Sequence, residues 1–336
     1  MDIKTRSQDG PLSSPATVSP HSSWVIGRGG LLGSAIEQQC SIYKGAAFSP
    51  TLLFSWSDPY LLRTQIANAV SAFAQHVEGT GSWQLHWAAG RGVPSSTDID
   101  LSSETAVLTL LLKALDEQPT LRAKPGILTF ASSAGGIYAG STDEVINEES
   151  EPAPRASYGR EKLKQEGLLK HWAADKTNTS VILARFSTLY GPGQSQAKRQ
   201  GLLTHIARCI LQRQPIHIFV PLDTIRDYLY AQDAAAELLR VCRMIPASRE
   251  RIVTKIIGSE HSTTIAQIIS IFRRVTRTLP RVVTSCNALG AQYPHRQCFR
   301  SIVFPNAESP QQTSLLVGIA RVFAHEQLTR AIDVRR

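Results

Sequence analysis

Long apolar runs and paired cysteines are both missing from this chain of 336 residues. Its longest hydrophobic runs have the length of a strand or are interrupted by charged residues, well short of the roughly 20 apolar residues that span a membrane. The N-terminus also lacks the hydrophobic segment of a secretory signal. We therefore expect a cytoplasmic protein without a membrane span.

The five cysteines are far apart and form no CxxC pair: Cys40, Cys209, Cys242, Cys286 and Cys298. This spacing indicates reduced thiols of the cytosol rather than a disulfide framework or a zinc site. The nine histidines show no HExxH or similar metal-ligand spacing either. The sequence therefore predicts no metal site.

Positive charge is unevenly distributed along the chain. The net charge is +9, and residues 241–336 contain fourteen Arg and Lys against five Asp and Glu, so the whole excess lies in the last third. This segment forms either a solvated basic surface or a surface that attracts an anionic small molecule such as a sugar diphosphate. Because the arginines are scattered, without a basic run or interleaved aromatic residues, we expect no binding of nucleic acid.

Strands and helices alternate along the chain after residues 1–22, a Ser- and Pro-rich segment that we expect to be a flexible tail. The apolar pattern predicts strands at 24–26, 46–54, 83–87, 126–130 and 181–184, and helices at 31–42, 61–76, 104–115 and 158–172. Such alternation is typical of the α/β class, with a doubly wound parallel sheet covered by helices on both faces. Ligands of these sheets bind at the carboxyl ends of the strands, so we expect the functional residues there.

A glycine-rich loop, Gly27-Arg28-Gly29-Gly30-Leu31-Leu32-Gly33, follows the first predicted strand and opens the first helix. The first glycine of a dinucleotide cradle allows a tight turn, the second lets the backbone approach a pyrophosphate, and the third allows close packing of helix on strand. An ordinary glycine-rich turn is the alternative. The cradle predicts a cofactor site that includes the ends of two strands and one helix: Gly27, Arg28, Gly30, Leu31, Leu32, Gly33, Ala89, Gly90, Tyr158 and Lys162.

Both nicotinamide cofactors, NAD and NADP, are compatible with this sequence. An acidic residue at the end of the second strand would hydrogen-bond the ribose of NAD, and none is convincingly placed between Gly45 and Ser55. Arg28 would either meet the 2′-phosphate of NADP or be an exposed loop arginine. The choice between the two cofactors stays open at this point.

Three residues form a candidate catalytic set. Tyr158 and Lys162 are four residues apart on a predicted helix and share a face, and Ser133 ends the preceding strand. A phenol with a pKa of about 10 is a poor base, but a nearby ammonium and an oxidised nicotinamide favour the phenolate. Tyr158 would then take a proton from a substrate hydroxyl while Ser133 hydrogen-bonds the same oxygen. The alternative is a surface tyrosine beside a lysine, because a YxxxK pattern alone is common.

Five segments in this order resemble those of extended short-chain dehydrogenases/reductases, in the NAD-dependent epimerase/dehydratase family that acts on nucleotide sugars: GRGGLLG, FASSAGGIYAG, ASYGREK, RFSTLYGPGQ and IRDYLYAQDAA. The resemblance extends from about residue 24 to beyond residue 236. It implies that Tyr158 is the base, that Lys162 holds the ribose and tunes Tyr158, and that Ser133 assists. Ser132 is a possible stand-in for Ser133, since one more residue precedes Tyr138 than in some members.

The resemblance also implies a substrate site. Arg226 would contact the substrate diphosphate, a task that suits a bidentate guanidinium; a structural ion pair with Asp227 or Asp233 is the alternative. Thr188 stands where many members have an Asn near the diphosphate, a departure from the family's pattern in the substrate site.

Epimerisation of a nucleotide sugar through a transient 4-keto intermediate is the reaction that the resemblance favours. A reductase or dehydrogenase of a keto sugar is the alternative, followed by a non-catalytic dinucleotide sensor. Ala134 and Gly135 replace the Asp-Glu pair of the family's dehydratases, so elimination of water is disfavoured. The resemblance further implies a Rossmann-type domain over 23–190 with 226–258 returning to it, a smaller discontinuous C-terminal substrate lobe over 191–225 and 259–336, and a homodimer formed through a four-helix bundle.

Overall fold

A computed structural model describes residues 21–42, 45–51, 54–90, 92, 96–194, 201–245, 251–285, 294–305 and 312–333. Strands and helices alternate through the first half of the chain: β1 (His21–Ile26), α1 (Leu31–Ile42), β2 (Ala46–Phe48), α2 (Pro59–Glu78), β3 (Ser82–Trp87), α3 (Asp98–Asp116), α4 (Pro119–Ala123), β4 (Gly126–Ser133), α5 (Ala134–Ile137), α6 (Ser157–Ala173) and β5 (Thr179–Phe186). The second half contains β6 (Thr188–Tyr190), α7 (Leu202–Gln212), β7 (Ile216–Ile218), β8 (Ile225–Tyr230), α8 (Ala231–Met244), β9 (Ile252–Ile257), β10 (Ser262–Thr264), α9 (Ile265–Thr276), β11 (Val282–Thr284) and α10 (Leu315–Asp333).

Six parallel strands form the central sheet, in the order β2-β1-β3-β4-β5-β9. The chain moves from β1 to the β2 edge and then crosses back to β3, so the direction of winding reverses between β1 and β3. Such a reversal opens a crevice at the carboxyl ends of the two strands, where ligands of doubly wound sheets bind. The predicted fold class is confirmed.

Two boundaries differ from the sequence prediction. β1 begins at His21, two residues inside the predicted tail, whereas residues 1–20 lie outside the described residues. β2 ends at Phe48 rather than at residue 54, and Pro50 follows it closely. Because proline has no N–H to donate to a neighbouring strand, a paired strand does not continue through it.

The core of the central sheet consists of two layers of side chains, one on each face. Trp83, Leu85 and Trp87 of β3 pack on one face with residues of α2 and α3. His86 is on the opposite face and is buried, with its Nδ1 at 3.0 Å from Thr129 Oγ1. Burial lowers the pKa of His86 to about 3, so it stays neutral at physiological pH.

The C-terminal part of the chain contributes strands to three sheets: the central sheet, a three-stranded sheet and a two-stranded sheet, β11-β7. α8 packs on α1, and β9 pairs with β5 at the edge of the central sheet. β8 instead joins a separate three-stranded sheet, β10-β8-β6, so residues 225–230 lie outside the central sheet. α10 packs against α7 and α9, and Arg208 of α7 forms a two-pronged ion pair with Glu326 of α10. The domain bounds stay a prediction.

Four cysteines are described, Cys40, Cys209, Cys242 and Cys298, and each is free and buried. Cys286 lies outside the described residues. Among the helices of the described ranges, none is both long and apolar enough to cross a lipid bilayer.

Candidate active site

The loop between β1 and α1 requires glycine at two positions. Gly27 has a φ of 96°, and a Cβ on it would lie 2.5 Å from the backbone nitrogen of Ala89. A Cβ on Gly33 would overlap the carbonyl oxygen of Gly27, to which Gly30 donates its N–H at 2.9 Å. These close backbone approaches form the tight strand-to-helix turn of a dinucleotide cradle.

The N-terminus of α1 offers its backbone N–H groups to an anion. The first turn of this helix contains no acidic residue that would compete with a bound anion. Leu31 and Leu32 begin the helix and are half-buried. Arg28 lies in the loop before the helix, with its side chain 42% exposed and its Nη1 at 3.4 Å from Glu37 Oε1. The residues predicted to contact the pyrophosphate therefore surround one helix N-terminus.

The end of β3 lies against this loop, as the position of the crevice requires. Ala88 donates its N–H to the carbonyl oxygen of Ile26 at 2.9 Å, and its backbone contacts Gly27. Ala89 is buried, and Gly90 has a φ of 151°. The two glycine-containing turns predicted to hold the cofactor are thus neighbours in space.

Gly33→Ala should weaken the binding of NADH and NADPH about fivefold to a hundredfold, since an overpacked contact costs about 1–3 kcal/mol. The added methyl would overlap the carbonyl oxygen of Gly27 and distort the turn. Isothermal titration measures the affinity. Gly29→Ala is the matched control, because a Cβ at that position meets no atom within 4 Å. Equal affinities of the two variants would show that the turn is not the cradle.

Ser133, Tyr158 and Lys162 are brought together by β4, α5 and α6. Ser133 ends β4 and caps α5, where its Oγ accepts the N–H of Gly136 at 3.1 Å. It also hydrogen-bonds the side chain of Tyr158, in the first turn of α6. Lys162 lies one turn further along α6, with Nζ at 6.0 Å from the centre of the Tyr158 ring. Nζ also donates to the carbonyl oxygen of Ala131 at 3.2 Å.

The surroundings of Tyr158 act on its acidity in both directions. Burial raises the pKa of Tyr158, the hydrogen bond from Ser133 lowers it, and the charge of Glu104 raises it. Glu104, on α3, also accepts the N–H of Gly92 at 2.7 Å. Nothing in the local pattern of α3 connects Glu104 with a tyrosine 54 residues later, so this residue is not predictable from the sequence.

A buried polar cluster lies beside the candidate catalytic set. Arg185 of β5 donates to both carboxylate oxygens of Glu166, at 2.9 and 2.6 Å, and also hydrogen-bonds the hydroxyl of Tyr138. Ser132 donates its hydroxyl to the same carboxylate at 2.6 Å. Because Ser132 is held in this way, the geometry favours Ser133 as the serine that faces Tyr158. The Glu166–Arg185 pair joins a helix to a strand and has no signal in the sequence.

Arg226 lies on β8, half-buried, with Nη1 at 2.7 Å from the carbonyl oxygen of Ile225. The two carboxylates considered as its partners have other hydrogen bonds. Asp227 is buried and accepts the N–H groups of Ser259 and Glu260, both at 2.8 Å, and burial raises its pKa. Asp233 accepts the N–H and the hydroxyl of Thr313, at 2.7 and 3.0 Å.

A second arginine, Arg296, lies on a segment that pairs with β8, and its Nε donates to Cys298 Sγ at 3.3 Å. It forms a β-bridge with Ile225, the residue before Arg226, and it is exposed. Its neighbour Gln297 is buried and donates Nε2 to the carbonyl oxygen of Gly135 in α5, at 2.9 Å. The segment therefore connects the arginines to the first turn of α5. Arg296 is not predictable from the sequence, because its position depends on a pairing between distant parts of the chain.

Thr188 is exposed at the start of β6, where it pairs with Tyr228 of β8. It lies two residues after Phe186, the last residue of β5, and in the same small sheet as Arg226. All four residues predicted to bind substrate, Ser132, Ser133, Thr188 and Arg226, are thus on β4 or on the adjoining small sheet.

A family model matches residues 84–254, just over half of the chain, and describes the NAD dependent epimerase/dehydratase family. A dTDP-4-dehydro-6-deoxyglucose reductase of Escherichia coli is 32% identical over 142 residues, which are 42% of this chain and 43% of that protein. A dTDP-L-rhamnose 4-epimerase of Burkholderia thailandensis is 29% identical over 117 residues, 34% of this chain and 31% of that protein. The chain thus aligns with less than half of the length of either relative.

The similarity in structure extends over nearly the whole chain. The UDP-glucose 4-epimerase of Thermus thermophilus, in complex with NAD, superposes with a TM-score of 0.74 at 17% sequence identity. The superposition covers 91% of this chain and 99% of that protein. At this low identity the likeness shows the fold, whereas the sequence match shows the family. The chain belongs to the NAD dependent epimerase/dehydratase family.

Proposed function

We propose that the protein is an enzyme that uses NAD or NADP to change the configuration or oxidation state of carbon four in a nucleoside-diphosphate sugar. The observation that carries this proposal is the meeting of Ser133, Tyr158 and Lys162 at the carboxyl end of β4, near a glycine cradle. Both relatives found by sequence act on dTDP-linked deoxy sugars according to their names. The same substrate class is our proposal for this chain.

The residues present fit a dinucleotide. A pyrophosphate would lie at the N-terminus of α1, over Gly30, Leu31 and Leu32, and the ribose next to the nicotinamide would lie against Tyr158 and Lys162. When bound, the nicotinamide supplies a hydride acceptor or donor. The close approaches around Gly27 and Gly33 leave no room for larger side chains, which supports this use of the loop.

Tyr158 is proposed as the group that exchanges a proton with the sugar hydroxyl at carbon four. In the oxidising direction its phenolate oxygen accepts the hydroxyl proton, and in the reducing direction its O–H returns a proton to the oxygen. Ser133, which hydrogen-bonds Tyr158, would hold the same sugar oxygen in line. Lys162, with Nζ at 6.0 Å from the centre of the Tyr158 ring, is proposed to stabilise the phenolate, and Gly136 leaves space for the tyrosine ring.

Arg226 and Arg296 are proposed to hold the diphosphate of the substrate. Two guanidinium groups on neighbouring segments can each donate two hydrogen bonds to phosphate oxygens. Gln297 connects this pair to Gly135, next to the catalytic Ser133, so diphosphate and sugar would bind to adjoining parts of one site. Because positions 134 and 135 carry no acid, we do not propose elimination of water.

Arg226→Gln and Arg296→Gln should each raise KM about tenfold to a hundredfold while changing kcat little, because the diphosphate is bound equally in the ground and transition states. Steady-state kinetics on the substrate identified below measures both parameters. Arg300→Gln is the control, since Arg300 is an exposed arginine of the same segment. A fall in kcat without a change in KM would contradict a role in binding the diphosphate.

Net consumption of the cofactor distinguishes a reductase from an epimerase. We would incubate the purified protein with dTDP-L-rhamnose, and separately with dTDP-4-dehydro-6-deoxyglucose and NADPH or NADH. An epimerase changes the sugar without net consumption of cofactor, and NMR of the product detects the new epimer. A reductase consumes one NAD(P)H for each sugar reduced. If neither these nor other nucleoside-diphosphate sugars give a new epimer or consume NAD(P)H, the proposed function is wrong.

We also propose that two copies of the protein pair through α3 and α6. These helices pack against each other, and both present small exposed residues, Ala106 and Gly167, that permit the close approach of another helix. Light scattering of the purified protein would measure the mass, and a monomer at micromolar concentration would contradict the pairing.

A further inference from the structure

The edge of the central sheet beside the cofactor cradle is where the adenosine ribose of a dinucleotide would lie. β1 and β2 are parallel, with Trp24 opposite Phe48. Because β1 and β2 are neighbouring parallel strands, the residues after Phe48 and the loop after Ile26 leave the sheet at the same edge. In a dinucleotide site of this kind, the residue that hydrogen-bonds the adenosine ribose follows the glycine loop by about 20 residues, at the end of the second strand.

No carboxylate is available at this edge from the segment around β2. The sequence has no Asp or Glu between Glu37 and Asp58, so the residues that follow β2 are neutral. Asp58, the first acid after β2, caps α2: its Oδ1 accepts the N–H groups of Tyr60 and Leu61, both at 3.0 Å. An NAD site would instead place a carboxylate here to accept the hydrogen of the ribose 2′-hydroxyl.

A guanidinium lies close to this edge. Arg28 follows Gly27 directly, in the loop that leaves β1 at the same edge of the sheet as the residues after Phe48. Its ion pair with Glu37 is 3.4 Å long, and both side chains are more than 40% exposed. Exposed pairs of this kind contribute at most about 1 kcal/mol, so a phosphate can displace Glu37. A phosphate dianion offers Arg28 two charge-assisted hydrogen bonds in its place.

We infer that the cradle discriminates in favour of NADP over NAD, with Arg28 as the residue that binds the 2′-phosphate and with Ser49 and Thr51 as its neutral neighbours. This inference rests on the proposed dinucleotide site and adds to it the identity of the cofactor. Glu37 opposes the preference, because its carboxylate competes with the phosphate for Arg28.

Isothermal titration of the purified full chain tests the inference without any need for the sugar substrate. The probes are NADPH, NADH, 2′,5′-ADP and 5′-AMP, and within each pair the only difference is the 2′-phosphate. NADPH should bind about tenfold to a hundredfold more tightly than NADH, and 2′,5′-ADP should exceed 5′-AMP by a similar factor. This is the effect expected for hydrogen bonds to a charged group. The difference should shrink as salt is added, since exposed charges are screened.

Two variants assign the effect to Arg28. Arg28→Gln should remove most of the difference between NADPH and NADH and leave the affinity for NADH within about twofold. Glu37→Gln, which removes the competing carboxylate, should enlarge the difference. Both side chains are exposed, so circular dichroism should show an unchanged fold for each variant.

The outcomes separate this inference from the proposed function. Equal binding of NADPH and NADH, tighter binding of NADH, or an Arg28→Gln variant that loses both equally would overturn the NADP preference and leave the dinucleotide site intact. If neither dinucleotide binds to a protein shown to be free of carried-over nucleotide, the proposed function itself fails.

Discussion

Tyr158→Phe should reduce kcat about a hundredfold to ten-thousandfold, the range expected when a proton-transfer group is removed. The substitution deletes only the hydroxyl. The ring carbons keep their place against Gly136, where a Cβ would lie 2.9 Å from Tyr158 Cδ1. The affinity for the cofactor should therefore change much less than kcat. Steady-state kinetics measures the rate, and isothermal titration with the cofactor measures the binding.

Tyr60→Phe is the matched control for this experiment, because Tyr60 is 90% exposed at the start of α2. It should leave kcat unchanged. If Tyr158→Phe kept the activity of the native protein, the proposed catalytic role of Tyr158 would be wrong. If it lost cofactor binding to the same extent as turnover, Tyr158 would be a binding residue rather than the proton-transfer group.

Glu166→Gln should lower the free energy of unfolding by about 3–5 kcal/mol, the cost of leaving one partner of a buried ion pair uncompensated. Glu166 is 1% exposed and Arg185 is 4% exposed, so water cannot replace the lost charge. The amide keeps the size of the carboxylate, which makes charge the main variable. Urea unfolding followed by circular dichroism measures the change.

Two further variants make this prediction specific. Glu37→Gln removes one partner of an exposed pair and should cost less than about 1 kcal/mol. Replacing Arg185 and Glu166 together by Met and Leu should restore much of the stability, because no unpaired charge is left in the interior. A Glu166→Gln variant as stable as Glu37→Gln would mean that the buried pair is not needed for folding.

The position of the pair suggests a consequence for the site. Glu166 lies one turn of α6 after Lys162, and Arg185 is opposite Ser132 in the pairing of β4 with β5. The pair therefore joins the helix that carries Tyr158 and Lys162 to β5, and Ser132 joins the same carboxylate to β4, the strand that carries Ser133. A loosened α6 would change the distance between the phenol and the serine hydroxyl, so we expect the pair to position the catalytic residues as well as stabilise the fold.

Much of the fold could be predicted because its causes are local. The helix after the glycine loop was predicted at residues 31–42 and is found at Leu31–Ile42. Its start is marked by Gly30 and its inner face by apolar residues at helical spacing. Likewise, runs of apolar residues mark the buried parallel strands, which are covered on both faces. α3 begins at Asp98, earlier than predicted, because Thr97 caps it.

The contents of the site were predicted less completely. The glycines and the Tyr158–Lys162 spacing are signals within a few residues, and they were found. Arg296 lies 70 residues after Arg226, and Glu104 lies 54 residues before Tyr158. No local pattern connects residues so far apart, and each pair meets only when the strands and helices have packed.

Ser132 and Ser133 show most clearly what the sequence determines and what only the tertiary structure decides. The sequence by itself determined that two hydroxyls end a buried strand next to a helix with Tyr158 and Lys162, because hydrophobic pattern and glycine spacing are properties of the chain. It left open which serine serves the site. Neighbouring side chains of a strand point to opposite faces. Only the packing of β5 and α6 on β4 directs Ser132 to the buried Glu166 and leaves Ser133 beside Tyr158.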